Sequence, residues 1–217
     1  DRTKAKFDTV TKGLKGMGGV AKKATMGVAK VGLAATAAAT AISALAKVNI
    51  DFMDKLGKTS SKLGISAEFL QNMRFAAEQT GVKVEALDMG LQRFIRRAAE
   101  AAQGTGEAKR AFEQLGIELK NDDGTLRDVR DVLFDVADGL KNTSSSGEQV
   151  RLAFKFFDSE GVSLVNTLKN GADGLREFEE EAENLGIIIS SQSIKKAEMF
   201  ADSLNVLKKQ ITAVTAN

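Results

Sequence analysis

The chain has 217 residues and a formal net charge of +2, and it contains no Pro, Cys, His, Trp or Tyr; Phe, present twelve times, is its only aromatic residue. Lacking Cys and His, it has no disulfide framework, and the commonest zinc-type sites and Cys- or His-based catalysis are excluded from it. Lacking Pro, it can interrupt a helix only with Gly and polar turns, so long helices are permitted.

That length suffices for one or two domains with a real core. The charge is uneven: residues 1–50 carry +7 and the remainder −5. A basic arm ahead of an acidic body has two readings, solvated helix faces or contact with an acidic partner such as nucleic acid or a lipid surface. The first residue is Asp1 and Asn217 directly follows a periodic helix. A processed or excerpted piece of a longer polypeptide is therefore expected.

Residues 1–19 combine Lys4, Lys6, Lys12 and Lys15 with Gly13, Gly16, Gly18 and Gly19, a density of glycine that disfavours helix and predicts a flexible basic lead-in. Gly16-Met17-Gly18-Gly19-Val20-Ala21 loosely matches a dinucleotide-binding loop. No strand pattern precedes it and no Gly-Lys-Ser/Thr follows, so the context fails.

Residues 20–63 predict one long Ala-rich helix. Val31 to Ala46 is uncharged but too short and too rich in Ala and Thr for a membrane span. A heptad reading fits instead, with the seam on Val28, Val31, Ala35, Ala38, Ile42, Leu45, Asn49, Phe52 and Leu56. Small residues there would let partner helices approach closely. Asn49, polar at an a position, either fixes register and copy number or is simply exposed on a helix packed within its own chain.

Residues 64–217 predict shorter helices. Leu63-Gly64-Ile65, Leu115-Gly116-Ile117 and Leu185-Gly186-Ile187 each read as a helix stop, with Gly left-handed and Ile folding back on the last turn. Ser66 caps a helix with Phe69, Leu70, Met73 and Ala77 on its apolar face. The next buries Val84, Leu87, Leu91 and Phe94 and turns Arg93, Arg96 and Arg97 outward. Thr125 with Asp128 resembles a capping pair for a helix bearing Leu126, Val129, Leu133, Val136 and Leu140. Ser146 with Gln149 resembles another, opening a helix that faces inward through Val150, Ala153, Phe154 and Phe157, with Phe156 assigned to a neighbouring core. Val162, Val165, Leu168, Leu175, Phe178, Ala182 and Leu185 continue the apolar series. The fold class expected is all-α: a long coiled-coil-like helix followed by a bundle of short ones.

The chemistry is sparse. Setting Gly124 of Asn121-Asp122-Asp123-Gly124 at the sixth position of a calcium loop puts Leu119 and Arg130 at the anchoring positions, where carboxylates are needed. Glu179-Glu180-Glu181 points three ways around a helix and reads as a solvated face, not a glycosidase pair. No catalytic, cofactor-binding or metal-ligating residue is assigned.

Taken in order, LGISAEFLQNMRFAAEQTGVKVEALDMGLQRF, AFEQLGIELKNDDGTLRDVRDVLFDVADGL, FFDSEGVSLVNTLKNGADGL and EAENLGIIISSQSIKKAEMFADSL resemble tail tape measure proteins of bacteriophages and prophages, over roughly Asp51 to Val214. Two positions depart from that family's pattern. Lys83 stands where a Ser or Thr cap is usual, and Phe156-Phe157-Asp158 where Leu-Phe-Gly is usual. The resemblance implies a non-enzymatic component of the virion, assembled in the host cytoplasm, that lies in the lumen of the tail tube, sets its length and leaves with the DNA at ejection. Its implied partners are further copies of itself, a trimer among the options, the tail tube protein, and tail tip or baseplate hub proteins. Host membrane during ejection and DNA in the tube are implied neighbours. Two other classes stay open on the residues alone. One is a membrane-active protein inserting Gly27 to Val48 between Lys22, Lys23 and Lys47; the other is a cytoplasmic coiled-coil adaptor.

Overall fold

The computed structural model describes residues 34–215, with side chains for residues 49–203 and 206. The chain divides after Phe52 into two units. Helix α1 (Ala34–Leu63) takes in the end of the first and the start of the second. Its first turns, Ala34 to Ala46, are mostly Ala with no charged residue before Lys47, and Ala has the highest helix propensity. The described part of the first unit is this helix alone.

The second unit is built from the end of α1 and from α2 (Ala67–Gln79), α3 (Val84–Ala102), α4 (Lys109–Gln114), α5 (Val129–Lys141), α6 (Ser146–Phe157), α7 (Gly161–Leu168), α8 (Gly171–Asn184) and α9 (Ser191–Thr215). A single 3₁₀ turn, Asp158–Glu160, joins α6 to α7. The fold is all-α. Among the described residues the only β pairing is one antiparallel bridge between Lys120 and Leu126, around the Asn121 to Gly124 turn.

How the helices end decides how they pack. Gly64, Gly116 and Gly186 stand at φ 68°, 66° and 65°. Around each, the residue after Gly donates its N–H to the carbonyl five residues back, Ile65 to Ser60 at 3.1 Å, Ile117 to Phe112 at 2.9 Å and Ile187 to Ala182 at 3.3 Å. Each Gly donates to the carbonyl three residues before it, which completes the Schellman motif. Gly81 with Val82 and Gly104 with Thr105 close α2 and α3 by the same pair of bonds. Ile65 and Ile117 pack against the core, as a fold-back requires. Ile187 does not; it is half-exposed, because the chain there runs on to α9 and Ile189 makes the core contact.

The core has two aromatic groups. Phe94 stacks on Phe157 at 5.2 Å, Phe112 meets Phe156 at 4.7 Å, and all four rings are fully buried where α3, α4 and α6 converge. Phe69 with Phe134 and Phe75 with Phe178 join α2, α5 and α8. A Phe ring has no polar atom to satisfy, so each buried ring contributes about 1.5–3 kcal/mol without a hydrogen-bond requirement. α7 folds back on α6 so closely that a Cβ on Gly161 would fall against the Ala153 carbonyl.

Several expectations are corrected. Helix α5 starts at Val129 with Asp128 as its cap, accepting from the Arg130 N–H at 2.8 Å; Thr125 lies in the preceding turn, bonded to Asp123, and Leu126 is exposed. Ser146 and Gln149 form no capping box, because Gln149 Nε2 reaches back to the Leu140 and Thr143 carbonyls, both at 2.9 Å. The buried face of α6 is Leu152, Ala153, Phe156 and Phe157, so Val150 and Phe154 are exposed, while Phe156 is core as expected. Val162 and Leu185 are exposed, and Leu164 fills the α7 position instead.

Ser66 caps α2 by accepting from the Phe69 N–H at 3.0 Å, whereas Lys83 occupies the same cap position on α3 with extended backbone and no side-chain bond. A cation there also opposes the helix dipole. Lys83→Ser should therefore raise stability by about 0.5–1 kcal/mol in urea unfolding. Ser66→Ala should lower it by a similar amount, and an unchanged midpoint in both would refute the capping argument.

Candidate functional site

Of the expected seam, Val28 and Val31 lie outside the described residues. Ala35, Ala38, Ile42 and Leu45 fall on α1, and their side chains are also outside the described set. Asn49 is exposed and Phe52 is 47% exposed. Leu56 is corrected: it is fully buried in the core of its own chain and has no surface to offer a partner. The physical reason is that α1 enters the helical body over its last turns, where Leu56, Ser60 and Leu63 all point inward.

A polar hub sits at the end of α6. Arg97, expected on the outer face of α3, is 5% exposed. Its Nη1 donates to the Phe154 and Lys155 carbonyls, both at 2.8 Å, and its Nη2 lies 3.3 Å from Asp158 and 3.6 Å from Glu107. The Phe154 carbonyl also accepts the Asp158 N–H, so the guanidinium adds a second donor there, bonds the Lys155 carbonyl in the last turn, and meets the negative end of the helix dipole. Arg93 donates to Glu160 and to Ser159 in the same turn. The two arginines hold a strained link, for Asp158 has φ 62° and ψ −141°, close to the region that only glycine enters freely. No sequence signal marked Arg97 as buried, although its spacing from Phe94 and Ala101 places it on the same helix stripe.

A second pair outside the helix ladders ties α5 to α8. Arg130 donates to Glu179 through Nε and Nη2, at 3.1 and 2.6 Å, and its guanidinium lies 4.3 Å over the Phe134 ring. The bond to Glu179 pushes the Arg130 pKa up. Glu179 is thus part of the packing, not of a solvated face.

The third feature is the seating of α9 on α2. The Gln71 side chain donates to the Ile189 carbonyl at 2.8 Å and accepts the Ile189 N–H at 2.9 Å, imitating a β bridge. One turn earlier, Glu68 accepts from the Ser191 N–H at 2.5 Å and from the Ser191 hydroxyl, so a residue of α2 satisfies a first-turn N–H of α9, while Ser190 at the cap accepts from the Ser193 N–H. Burial alone would raise the Glu68 pKa, but the two Ser191 bonds outweigh it and the net shift is down.

Two shallow clefts complete the surface. One of about 420 Å³ lies among the end of α3, α4 and the Ile117 to Asp122 strand-like segment. The other, about 470 Å³, runs between the end of α1 and the start of α9. Among the described residues no acidic cluster is arranged to hold a metal ion, and no helix is long and apolar enough to cross a membrane. The Gly16 loop and Gly27 to Leu33 lie outside the described residues. No family model, curated protein or solved structure matches this chain.

Asp158→Ala and Asp158→Gly both remove the carboxylate beside the buried Arg97, so the two variants differ by backbone strain, about 1–3 kcal/mol for a side chain at this φ and ψ. Asp158→Ala should therefore be less stable than Asp158→Gly by about 1–2 kcal/mol. Thermal melts in which the Ala variant equals the Gly one would remove the strain argument. At the α9 seat, a carboxylate whose folded pKa is lowered adds stability that is present above its ordinary value of 4.5 and lost as pH falls through the folded value. The Ser191 amide resonance should titrate with a midpoint below 4.5 and lose that step in Glu68→Gln. A midpoint at or above 4.5 counts against the Glu68 bonds.

Proposed function

We propose that this chain is part of a tail tape measure protein of a bacteriophage or prophage, a component that lies in the tail tube lumen, sets tube length during assembly and leaves at DNA ejection. What supports the reading most is the backbone at the two positions where the chain departs from that family's pattern. Asp158, in place of the family's Gly, holds φ 62° and ψ −141°, a conformation suited to Gly. Lys83, in place of a Ser or Thr cap, is the N-cap of α3 in extended conformation. Both departures keep the geometry for which the family's residue is suited, as substitutions within an inherited fold do.

The physics of a tape agrees. A tape needs length per residue, which a chain without Pro supplies as helix, and α1 alone extends about 45 Å at 1.5 Å per residue. The helical body of the second unit then serves as an anchoring or end piece that meets tail tip or baseplate hub proteins. Exposed Asn49 and Phe52 offer the start of a seam between copies, with a trimer as one assembly. The tail tube protein surrounds the chain, DNA follows it, and the host membrane is met during ejection.

In-frame removal of helical residues from the protein should shorten tails by about 1.5 Å per residue removed, measured by electron microscopy of the particles. Tails of unchanged length would overturn the reading.

A further inference from the structure

Asn170 is the one asparagine of the chain that is followed by glycine. It stands in the turn between α7 and α8 with φ −85° and ψ 0°, it is exposed, and as the N-cap of α8 it forms no side-chain capping bond. Its side chain lies over Gly174, where a Cβ would fall 2.5 Å from Asn170 Cβ and 3.6 Å from its Cγ. The peptide that links it to Gly171 is unheld at both ends. Among the described residues the Asn170 carbonyl accepts no backbone N–H, although the N-cap carbonyls of α2, α3, α5 and α6 do, and the Gly171 N–H donates to no backbone carbonyl. Elsewhere the amide after an asparagine is held, Thr143 N–H on the Leu140 carbonyl at 3.1 Å and Leu185 N–H on the Glu181 carbonyl at 2.9 Å.

We propose that Asn170–Gly171 is a site of self-modification, at which the side-chain amide is lost through a cyclic imide and the start of α8 is then released from Asp138. At ψ 0° the Gly171 nitrogen is turned away from Asn170 Cγ. Equal and opposite changes in Asn170 ψ and Gly171 φ rotate that one peptide plane and leave the flanking helices in place. They carry Gly171 from φ 77° to extended backbone, which glycine enters with no Cβ to clash. The Gly171 nitrogen, its proton taken by hydroxide, then attacks Cγ. The new N–Cγ bond forms, the bond from Cγ to the side-chain nitrogen breaks, and that nitrogen leaves as ammonia with a proton from water. Water opens the ring at either carbonyl, and no oxidant or reductant is involved. Opening at Cγ leaves aspartate; opening at the main-chain carbonyl leaves isoaspartate, whose chain runs through Cβ and Cγ and is one carbon longer.

The longer chain falls where there is no slack. The next N–H, that of Ala172, donates to Asp138 Oδ1 at 2.7 Å, and a Cβ on the buried Gly171 would lie 2.6 Å from that same oxygen. An isoaspartyl link therefore moves the start of α8 off α5. This proposal does not depend on the tail reading, since it concerns bonds within the purified chain.

The test is incubation of the full chain, folded, in mildly alkaline buffer, followed by peptide mapping and by labelling with an isoaspartyl methyltransferase. Position 170 should exchange its amide for a carboxylate about tenfold faster, or more, than any other asparagine, because a Cβ on the next residue hinders both the attack and the rotation. Asn170→Gln, which would need a larger ring and leaves the turn as it is, should show no change there. If Asn170 stays intact in the folded chain while the same chain converts in urea, the fold locks the peptide and the proposal fails. In the separated isoaspartyl form the Ala172 amide should lose its protection from hydrogen exchange; protection equal to that of the unmodified chain would overturn the release of α8.

Discussion

A chain without proline has to end its helices with glycine and hydrogen bonds, and the second unit is organised by that constraint. At a Schellman terminus the last carbonyls are satisfied locally and the next residue is thrown back toward the helix just finished. Short helices can then pack on one another without leaving buried acceptors unpaired. Five helices end in this way, at Gly64, Gly81, Gly104, Gly116 and Gly186. Helices α5, α6 and α7 end without it. At the end of α6, Arg97 reaches across from α3 to the Lys155 carbonyl and shares the Phe154 carbonyl with the Asp158 N–H.

That contact has a cost that the surroundings offset. Burying a guanidinium is expensive unless its donors are used, and Arg97 uses them on two carbonyls and two carboxylates. The same turn carries the one non-glycine residue with positive φ among the described residues, Asp158. Its carboxylate lies beside the buried cation, so a side chain poorly suited to the backbone is well suited to the charge. Local strain and ion pairing meet at one residue, with the stacked Phe94 and Phe157 rings fixing α3 and α6 on either side.

The elements with strict three-four spacing could be read from the sequence: the buried face of α2 through Phe69, Leu70, Met73 and Ala77, and that of α5 through Leu133, Val136 and Leu140. The all-α class followed from the absence of alternating strands and of proline. What could not be read was the choice between equivalent stripes. In α6 both Val150-Phe154 and Leu152-Phe156 have helical spacing, and only the position of Phe94 and Phe112 across the interface decides between them. Arg97 was misplaced for a similar reason, since a charge on an apolar stripe is ordinarily exposed and its partners are backbone carbonyls, which leave no trace in sequence. Gln71 and Glu68 were silent because their partners lie some 120 residues away, in α9 and its approach.

The heptad series of α1 passes through two environments. Phe52 is half-exposed and Leu56, the next position of the heptad series, is fully buried, so the stripe changes its exposure within a turn. A stripe of this kind needs no sequence break at the boundary, because coiled-coil seams and globular helix faces ask for the same three-four spacing. The difference lies in what covers it. From Leu56 onward the covering atoms belong to the chain's own helices. Ser60 there turns its hydroxyl back to the Gly57 carbonyl at 3.0 Å and so presents no unpaired donor to the core. Periodicity thus establishes that a face is apolar, while the identity of its partner is settled by which helices the glycine stops bring round to meet it.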